Sequence, residues 1–480
     1  MGCLLRNESA ISLEAEDIAM ADHFDLLVLG SGEAGKYIAW AFASEGKKVA
    51  CIERQWVGGS CPNVACLPSK NFVHSAEMVH QTQEAIKSGI FSDVDIKVNM
   101  SAVRARKREM VDGLVAMHKD RFVNSGAQLI EGNGRFIEPK KIQVTDPKGE
   151  QRVLTGETVI ISTGSRANID SVPGLAEAKP LTHIDILELD KVPSHLIVLG
   201  AGYVGLEFAQ IMRRLGAKVT VIDRNDRILK REDEDVSTEL EKLLAAEGIQ
   251  FCLSSSISGV KGTSGDTVSV KVMKAGKTSE LQGSHILCAT GRIPNTDGIG
   301  LEEPTNLLTK NGFVKVDDHL QTVVPGVFAV GDCAGSPHFT HVSFSDFRIV
   351  KDFLKGLSAN TTGRQVPYTL FTSPELAHIG AHEHELKAKD VKYRKAQLPM
   401  AAFLRTRTLA DTRGFAKVMV SESDQILGFT ALGPGAGELL PVVQLAMKAG
   451  LPYTAIRDLV VTHPTLSEGL VYLFMAVPPR

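Results

Sequence analysis

The chain has 480 residues, of which 43% are hydrophobic and 23% charged, and its 53 basic residues nearly balance 56 acidic ones. This length suits about three domains, and the balance of charge argues against nucleic acid or an anionic membrane as a partner. No apolar run is long enough to span a bilayer, and seven cysteines do not make a disulfide scaffold in a chain of this size. We therefore expect a globular protein of the reducing cytoplasm, preceded by a loose N-terminal extension over residues 1–22.

The first predicted unit is a strand, a glycine-rich turn and a helix. The apolar run 25–29 is typical of a buried parallel strand. It leads into GxGxxG spacing, with glycines at Gly30, Gly32 and Gly35. A second strand ends in Glu53, 23 residues after Gly30. Such glycines allow a tight turn, the helix N-terminus faces a pyrophosphate, and an acid at this separation binds a ribose. The pattern predicts a dinucleotide-binding fold.

A pair of cysteines follows in the segment 58–70, GGSCPNVACLPSK. Cys61 and Cys66 are five residues apart in a predicted helical region, 62–80, which keeps both thiols near one face. Local distortion could bring the sulfurs within bonding distance. A helix N-terminus favours thiolate, and Gly58 and Gly59 would let the backbone approach a flat ring. The segment indicates a redox-active dithiol against a flavin, rather than two unpaired structural cysteines.

The strand, turn and helix then repeat. Gly200, Gly202 and Gly205 have the same spacing, and the following strand ends at Asp223, again 23 residues after the first glycine. Two such folds imply two dinucleotides. Asp223 would accept hydrogen bonds from a ribose 2′-hydroxyl and repel a 2′-phosphate, which favours NAD. Arg224 and Lys230 could instead hold that phosphate, so NADP is the alternative.

Two clusters of charged or titratable side chains have simpler interpretations. A basic run on a predicted helix indicates a solvated face, because the chain is acidic overall; its members are Arg104, Arg106, Lys107 and Arg108. The histidines His378, His382 and His384 indicate a solvated loop rather than a metal site, since a fourth ligand is not evident. No metal is therefore expected. After residue 364, two apolar stretches predict antiparallel strands, and an amphipathic stretch, LLPVVQLAMKAG, could pack across a two-fold axis.

Together these motifs resemble the class I pyridine nucleotide-disulfide oxidoreductases, in the dihydrolipoamide dehydrogenase and mercuric-reductase-like branch. The resemblance runs from about Phe24 to the C-terminus, with Ser60, Pro62 and Ala65 as departures from the usual GGTCxNxGCxPSK. It implies an α/β fold with two Rossmann-like dinucleotide-binding domains, for FAD and NAD(P), and a C-terminal α+β dimerisation domain. The implied boundaries are 23–165 (FAD-binding, first part), 166–290 (NAD(P)-binding), 291–363 (FAD-binding and central, second part) and 364–480 (dimerisation).

The same resemblance implies the catalytic roles. Electrons would pass from NAD(P)H through FAD to a Cys61–Cys66 disulfide and then to substrate, with Cys66 against the flavin and Cys61 exchanging with substrate. Tyr203 matches an aromatic gate over the flavin, and Glu207 matches a carboxylate that pairs with Lys70. His463 in THPTLSEGL would act as general acid and base, oriented by Glu468 and contributed by the other subunit of a homodimer. The implied cofactor-binding positions are Gly30, Gly32, Gly35, Glu53, Gly59, Ser60, Lys70, Thr163, Gly164, Gly200, Gly202, Gly205, Asp223, Arg224, Gly291, Arg292 and Asp332.

Departures from individual relatives narrow the substrate. Glutathione reductases carry an arginine pair where this chain has Trp40 and Ala41, and mercuric reductases end in a cysteine pair, whereas no cysteine follows Cys333. We predict a small-molecule disulfide or dithiol of the lipoamide type. The alternative is a reductase of metal ions or small oxidants that uses the same dithiol. A scaffold without catalysis is disfavoured by the intact Cys61, Cys66 and His463.

Overall fold

The computed structural model of the chain describes residues 22–92, 94–301 and 307–480. The predicted N-terminal extension therefore lies outside the described residues, apart from Asp22, which begins the first strand. Among the described residues, no helix combines the length and apolar character that crossing a bilayer requires.

The chain contains both helices and strands along its length. Up to residue 167 they are β1 (Asp22–Leu29), α1 (Glu33–Ser44), β2 (Val49–Glu53), α2 (Ser60–Val64), α3 (Cys66–Lys87), α4 (Met100–Ser125), β3 (Gln128–Glu131), β4 (Asn133–Glu138), β5 (Lys141–Thr145), β6 (Gln151–Ile161) and β7 (Ser165–Ala167). From there to residue 294 they are β8 (His195–Leu199), α5 (Tyr203–Arg214), β9 (Lys218–Ile222), α6 (Glu234–Ala246), β10 (Ile249–Cys252), β11 (Ser255–Gly262), β12 (Val268–Lys274), β13 (Lys277–Gly283), β14 (His285–Cys288) and β15 (Arg292–Pro294). The remainder are β16 (Val327–Ala329), α7 (Thr340–Leu354), β17 (Tyr368–Leu370), β18 (Glu375–Gly380), α8 (Glu383–Ala388), β19 (Tyr393–Pro399), α9 (Leu404–Thr408), β20 (Phe415–Ser421), β21 (Ile426–Gly433), α10 (Ala436–Lys448), α11 (Thr454–Arg457) and α12 (Glu468–Met475).

The chain divides into two compact units. The first comprises Met1–Ser60, Leu114–Ser165 and Pro294–Thr362, and the second comprises Cys61–Gly113, Arg166–Ile293 and Gly363–Arg480. The two units are defined by the contacts within each of them. The domain boundaries expected from the sequence stay a prediction.

The first unit is built on a seven-stranded sheet. Its order is β3-β2-β1-β6-β5-β4, with β16 also paired to β6. Strands β3, β2, β1, β6 and β16 run parallel, whereas β5 and β4 are antiparallel additions. Every residue of β2 is buried, as expected for a parallel strand covered on both faces. Trp40 of α1 stacks on His118 and contacts Phe122 edge-on, so it is a core residue.

Three of the sheets lie wholly within the second unit. A four-stranded parallel sheet has the order β10-β9-β8-β14. It repeats the 3-2-1-4 arrangement of the parallel strands around β1. Strands β11, β12 and β13 form an antiparallel sheet. The five-stranded sheet β17-β18-β21-β20-β19 is antiparallel throughout. The predicted strands after residue 364 and the helix α10 are present, and α10 packs against β18 and β21.

Two local predictions about helices need correction. The helix expected over 62–80 is interrupted at Ala65, whose φ of −132° and ψ of −100° are not helical. The basic run on α4 is not simply solvated. Lys107 is buried and pairs with Glu188, which also accepts from Arg108. The burial of Lys107 depends on Glu188, which lies 81 residues further along the chain. The composition of the basic run contains no sign of this partner.

Candidate active site

The first glycine-rich turn is organised by one buried carboxylate. Glu53 Oε2 accepts the Ser31 backbone N–H at 2.9 Å and the Ser31 hydroxyl at 2.7 Å. Glu53 Oε1 accepts the backbone N–H groups of Gln55 and Trp56 at 2.8 and 3.0 Å. Four donors on one carboxylate hold the end of β2 against the turn after β1.

The same turn forms a backbone-lined cradle at the N-terminus of α1. Gly32 caps the helix, and no side chain caps its first N–H groups, which leaves donors for a phosphate. Gly59 has φ +84°, and a Cβ there would lie 2.5 Å from the Gly32 Cα. The charge of Glu33 in the first helical turn is balanced by Lys36 at 2.7 Å. These features fit the pyrophosphate of a dinucleotide.

The remaining predicted cofactor residues of the first unit meet where β6 and β16 end. Asn295 donates from its side chain to the Thr163 carbonyl at 3.0 Å and from its backbone to the Gly164 carbonyl at 2.9 Å. Asp332 follows β16 in a short 3-10 turn and accepts the Ser165 hydroxyl at 2.5 Å. The parallel strands thus bring Thr163, Gly164 and Asp332 to one edge of the sheet, where open α/β sheets bind ligands.

The second glycine-rich turn repeats this design in the second unit. Asp223 Oδ2 accepts the Ala201 N–H at 2.7 Å, and Oδ1 accepts both the backbone and side-chain N–H groups of Asn225 at 2.8 Å. Gly202 caps α5, again without a side-chain cap. Arg224 is exposed beside Asp223. The helix N-terminus and the half-buried acid fit a second nucleotide.

Gly291 and Arg292 lie at the start of β15. The Gly291 carbonyl accepts the Asn168 N–H at 3.0 Å, and an Arg292 nitrogen is 3.5 Å from His183 Nε2. Burial, and then the positive charge of Arg292, lower the pKa of His183 to about 4. His183 is therefore neutral near pH 7 and can accept from the guanidinium.

The two predicted redox cysteines lie on either side of the interruption at Ala65. Cys61 is in α2, directly after Ser60, which begins that helix, and Cys66 is the first residue of α3; both cysteines are half-buried. The Ser69 hydroxyl donates to the Cys66 carbonyl at 3.1 Å. A thiolate at Cys66 would lie at the positive end of a 22-residue helix. The break therefore divides the expected helix in two and places Cys66 at the N-terminus of the second part.

One turn beyond Cys66, Lys70 forms an ion pair. Its ammonium is 2.7 Å from Glu207 Oε2, and the Glu207 side chain is only 9% exposed. Glu207 Oε1 accepts the Phe371 backbone N–H at 2.9 Å, and the Lys70 ammonium lies over the Phe371 ring, 4.7 Å from its centre. Both carboxylate oxygens of Glu207 are thus engaged, which fixes the position of the ammonium.

Tyr203 lies one turn before Glu207 on α5. Its hydroxyl donates to Glu232 Oε1 at 2.8 Å, and Tyr368 donates to the same oxygen at 2.7 Å. Burial, and then the Glu232 charge, raise the pKa of Tyr203 well above its usual range. The residue predicted as a gate is therefore a protonated phenol tethered to a buried acid.

His463 and Glu468 form the predicted pair at the start of α12. His463 Nδ1 lies 3.0 Å from both carboxylate oxygens of Glu468, which also accepts the Tyr472 hydroxyl. The hydrogen bond from His463 lowers the pKa of Glu468. Because a carboxylate only accepts, Nδ1 carries the proton and Nε2 has the lone pair when the ring is neutral. The His463 side chain is 60% exposed, so this nitrogen can act on a molecule outside the chain.

Several residues of these sites carry no strong signal in the sequence. Ser31 occupies a variable position of the GxGxxG motif, and Glu232 lies in the charged run KREDED, which suggests a surface although Glu232 is fully buried. Contrary to the predicted solvated loop, His378 and His382 are also buried. The burial of Glu232 depends on Tyr203 and Tyr368, which are distant from it in sequence, so only the folded structure reveals it.

Comparison with known families gives two matches that together cover most of the chain. Residues 24–346 match the family described as pyridine nucleotide-disulphide oxidoreductase, and residues 366–474 match the dimerisation domain of the same family.

Individual relatives agree with these matches. A dihydrolipoamide dehydrogenase from Chaetomium thermophilum is 32% identical over 458 residues, covering 94% of this chain and 90% of the relative. The probable pyridine nucleotide-disulfide oxidoreductase RclA of Escherichia coli is 30% identical, covering 95% and 99%. Among solved structures, the HOCl-induced flavoprotein disulfide reductase RclA matches with a TM-score of 0.85 over 95% of this chain and 100% of that one, at 30% identity.

Proposed function

The chain belongs to the pyridine nucleotide-disulphide oxidoreductase family, and from this premise we propose which residues carry its reaction. It is an FAD-containing, NAD(P)-dependent disulfide oxidoreductase with two dinucleotide-binding domains and a dimerisation domain. We propose that electrons reach a small-molecule disulfide of the lipoamide type through Cys61 and Cys66. The observation that carries this proposal is the Lys70–Glu207 ion pair, one helical turn beyond Cys66.

Cys66 and Lys70, in the first turn of α3, would have different roles in the reaction. FAD, when bound, supplies the ring that would accept hydride from NAD(P)H and pass two electrons to the Cys61–Cys66 disulfide, reducing it to the dithiol. Cys66, at the helix N-terminus, would be held as thiolate against that ring, while Cys61 exchanges with the substrate disulfide. Lys70, positioned by Glu207, would place a positive charge beside the ring.

Tyr203 would control access of the nicotinamide. Its hydroxyl is held by Glu232 and its ring is tilted against Tyr368, with centres 5.7 Å apart. We propose that this phenol covers the flavin in the absence of nucleotide and rotates away from it when nicotinamide enters. Asp223 would select NAD, because its carboxylate can accept from a ribose 2′-hydroxyl and repels a 2′-phosphate.

His463 would protonate the departing substrate thiolate and remove that proton in the reverse direction. Glu468 holds Nδ1, so Nε2 is the atom that exchanges the proton. We propose that this histidine acts on the cysteine pair of the partner subunit in a homodimer, and that the protein works in the cytoplasm.

The central test is anaerobic titration of the yellow protein with NADH and then NADPH, followed by absorbance. A long-wavelength band after two electrons, from the Cys66 thiolate beside oxidised flavin, is the expected result, with NADH the faster reductant. Cys61→Ser should display the band before any reductant is added, and Cys66→Ser should never display it. Both should lose disulfide reduction by at least about a thousandfold. Cys252→Ser is the matched control, because Cys252 is half-buried elsewhere.

Simple bleaching of the wild-type flavin without such a band would contradict the proposed role of the cysteine pair. Turnover of mercuric ion or quinone without turnover of lipoamide would instead favour the small-oxidant alternative.

The shared active site has its own test. Unfolding and refolding Cys61→Ser together with His463→Gln should restore about a quarter of the wild-type sites, because each mixed dimer regains one site with both residues intact. If both residues act within one chain, the mixture should remain as inactive as its parents.

A further inference from the structure

A group of buried acceptors near Tyr203 is unexplained by the proposed reaction. Glu232 is fully buried, and its Oε2 has no hydrogen-bond partner among the described residues. His382 Nδ1 is likewise buried without a partner there. The two atoms are 4.0 Å apart, and His382 Nδ1 is 3.9 Å from Asp233 Oδ2. A buried polar atom without a partner is costly, so this convergence needs a cause.

The hydrogen bonds around His382 fix its tautomer. Tyr368 donates its only proton to Glu232 Oε1 at 2.7 Å. The Tyr368 oxygen is also 3.1 Å from His382 Nε2, so in a neutral ring Nε2 must be the donor in that contact. The lone pair of His382 is therefore on Nδ1 and points towards the two carboxylates. Glu232 Oε2 and His382 Nδ1 then face each other with no proton donor between them, whereas Asp233 Oδ2 beside them accepts from the Glu383 N–H and from Lys417.

The charges around these acceptors do not cancel. Glu232 and Asp233 are adjacent acids, 0% and 4% exposed. The buried Lys417 pairs with Asp233 at 2.8 Å and is shared with Asp235 at 2.6 Å. Glu232 has no such ion pair with Lys417 among the described contacts. Its Oε1 accepts hydrogen bonds from two neutral phenols, those of Tyr203 and Tyr368. Buried carboxylates need a compensating positive charge.

His384 completes a possible ligand set at the edge of this cluster. Its Nδ1 is 2.7 Å from Asp233 Oδ1, and the side chain is about half exposed. The ligand atoms of Asp233, His382 and His384 all lie within 4.8 Å of one another. Ligand atoms on one ion, at bonds of about 2.0–2.2 Å, are separated by roughly 3–4 Å, so small side-chain shifts suffice. The exposed His384 provides an entry route for an ion.

A second group, formed by Glu232, His378 and His382, is a weaker candidate. Both ring nitrogens of His378 are already engaged, with the Thr430 hydroxyl at 2.8 Å and the Gly380 carbonyl at 3.0 Å. The His378 ring stacks on His382 with centres 3.8 Å apart. His378 therefore acts as a packing support that orients His382.

We propose that Asp233, His382 and His384, with Glu232 as the fourth ligand, form a binding site for a divalent transition-metal ion such as Zn²⁺. Imidazole nitrogens combined with carboxylate oxygens select such ions over Mg²⁺ or Ca²⁺, which prefer oxygen ligands alone. The ligands come from the segment before α6 and from the start of α8, which are about 150 residues apart in sequence. A bound ion would therefore crosslink these two segments of the second unit, independently of the redox reaction.

The test is Zn²⁺ binding by the FAD-loaded, metal-stripped protein, measured by equilibrium dialysis. The work is done in a Cys61→Ser/Cys66→Ser background, so that the redox thiols cannot contribute and the result does not depend on the proposed reaction. One Zn²⁺ per chain is expected, with excess Mg²⁺ unable to displace it. The midpoint of thermal unfolding should also rise with Zn²⁺ concentration, because an ion that binds only the folded state stabilises it by mass action.

The variants keep the fold while removing ligands. His382→Ser leaves a preferred N-cap residue at the start of α8, and His384→Gln is a change at a half-exposed helical position. Each should weaken Zn²⁺ binding by about 10- to 100-fold or more and abolish the thermal shift. His23→Gln, at an exposed histidine on β1, should bind as the parent does. Absence of stoichiometric binding by the parent, or unchanged binding in both variants, would overturn the proposal and leave a proton as the compensating charge.

Discussion

The two glycine-rich turns have the same plan but different surroundings. In each, the first glycine N–H donates to the carbonyl of the residue directly before the acid, which is Ile52 at 2.8 Å for Gly30 and Ile222 at 2.9 Å for Gly200. In each, the backbone N–H of the residue between the first two glycines donates to that acid, at 2.9 Å in the first turn and 2.7 Å in the second. The repeat in the sequence is therefore a repeat in hydrogen bonding.

The difference lies in how much protein covers each turn. Glu53 is buried beneath four donors, and Gly59 passes so close to Gly32 that a Cβ would not fit. Asp223 is half-buried with three donors, and nothing lies within 4 Å of a Cβ built on Gly202. An enclosed cradle slows ligand release, whereas an open turn permits exchange. The first site suits a resident flavin nucleotide and the second a nucleotide that leaves after each turnover.

The largest effect is expected for Gly59→Ala. The residue has φ +84°, and the new methyl group would meet the Gly32 backbone at 2.5 Å. Strain of about 1–3 kcal/mol from the φ angle alone, together with the clash, should open the cradle. We expect purified protein with less than about a tenth of the normal flavin content, measured by absorbance after denaturation. Retention of full flavin would mean that the cradle does not hold the cofactor.

A smaller but still global effect is expected for Glu53→Gln. The amide nitrogen cannot accept, so at least one of the donors from Ser31, Gln55 or Trp56 would lose its partner in a buried site. Such a loss costs about 1–3 kcal/mol, visible as a lower denaturation midpoint and partial loss of flavin. Asp223→Asn is the matched control and should change the midpoint less, since Asp223 is half-buried. Equal losses in both variants would contradict the distinction between enclosed and open sites.

Much of this comparison could be predicted from the sequence, because its parts are local. The glycines, the strand ends and the acids at 53 and 223 lie within one strand–helix–strand unit, where spacing determines position. The Lys70–Glu207 pair joins residues 137 apart and was expected only through the family resemblance. Local hydrophilicity predicts solvent exposure for Lys107, His378 and His382, which are buried, and it gives no indication that Glu232 is buried, because the partners of these residues are distant in sequence.

The break at Ala65 was missed for a different reason. Residues 62–80 contain no glycine, and their prolines lie near helix starts, so local propensity favours one helix. No local pattern in this segment marks Ala65 as the point of interruption. The interruption is nevertheless the feature that gives Cys66 a helix N-terminus.

The open character of the second site predicts that its specificity can be changed without loss of the fold. Asp223→Ser removes the carboxylate but keeps a small hydroxyl that can accept from the Ala201 N–H. We expect the KM for NADH to rise about tenfold, equivalent to one lost hydrogen bond to a charged group, and the KM for NADPH to fall because Arg224 no longer competes with an acid. Steady-state kinetics with both nucleotides measures this. A variant with unchanged preference would assign the choice to residues other than Asp223.

The smallest effect on the fold is expected for Gly202→Ala, a change in the open turn that can be compared with Gly59→Ala in the enclosed one. The backbone at Gly202 has φ −86° and ψ −175°, which alanine adopts readily, and no atom lies within 4 Å of the added carbon. The denaturation midpoint and the flavin content should therefore match the wild type, with a stability change within about 0.5 kcal/mol. The methyl group would instead occupy the approach of the nucleotide pyrophosphate to the α5 N-terminus, so the KM for NADH should rise several-fold with little change in kcat at saturation. If Gly202→Ala lost flavin as Gly59→Ala is expected to, the two turns would be equivalent, and their different enclosure would not distinguish a resident cofactor from an exchanging one.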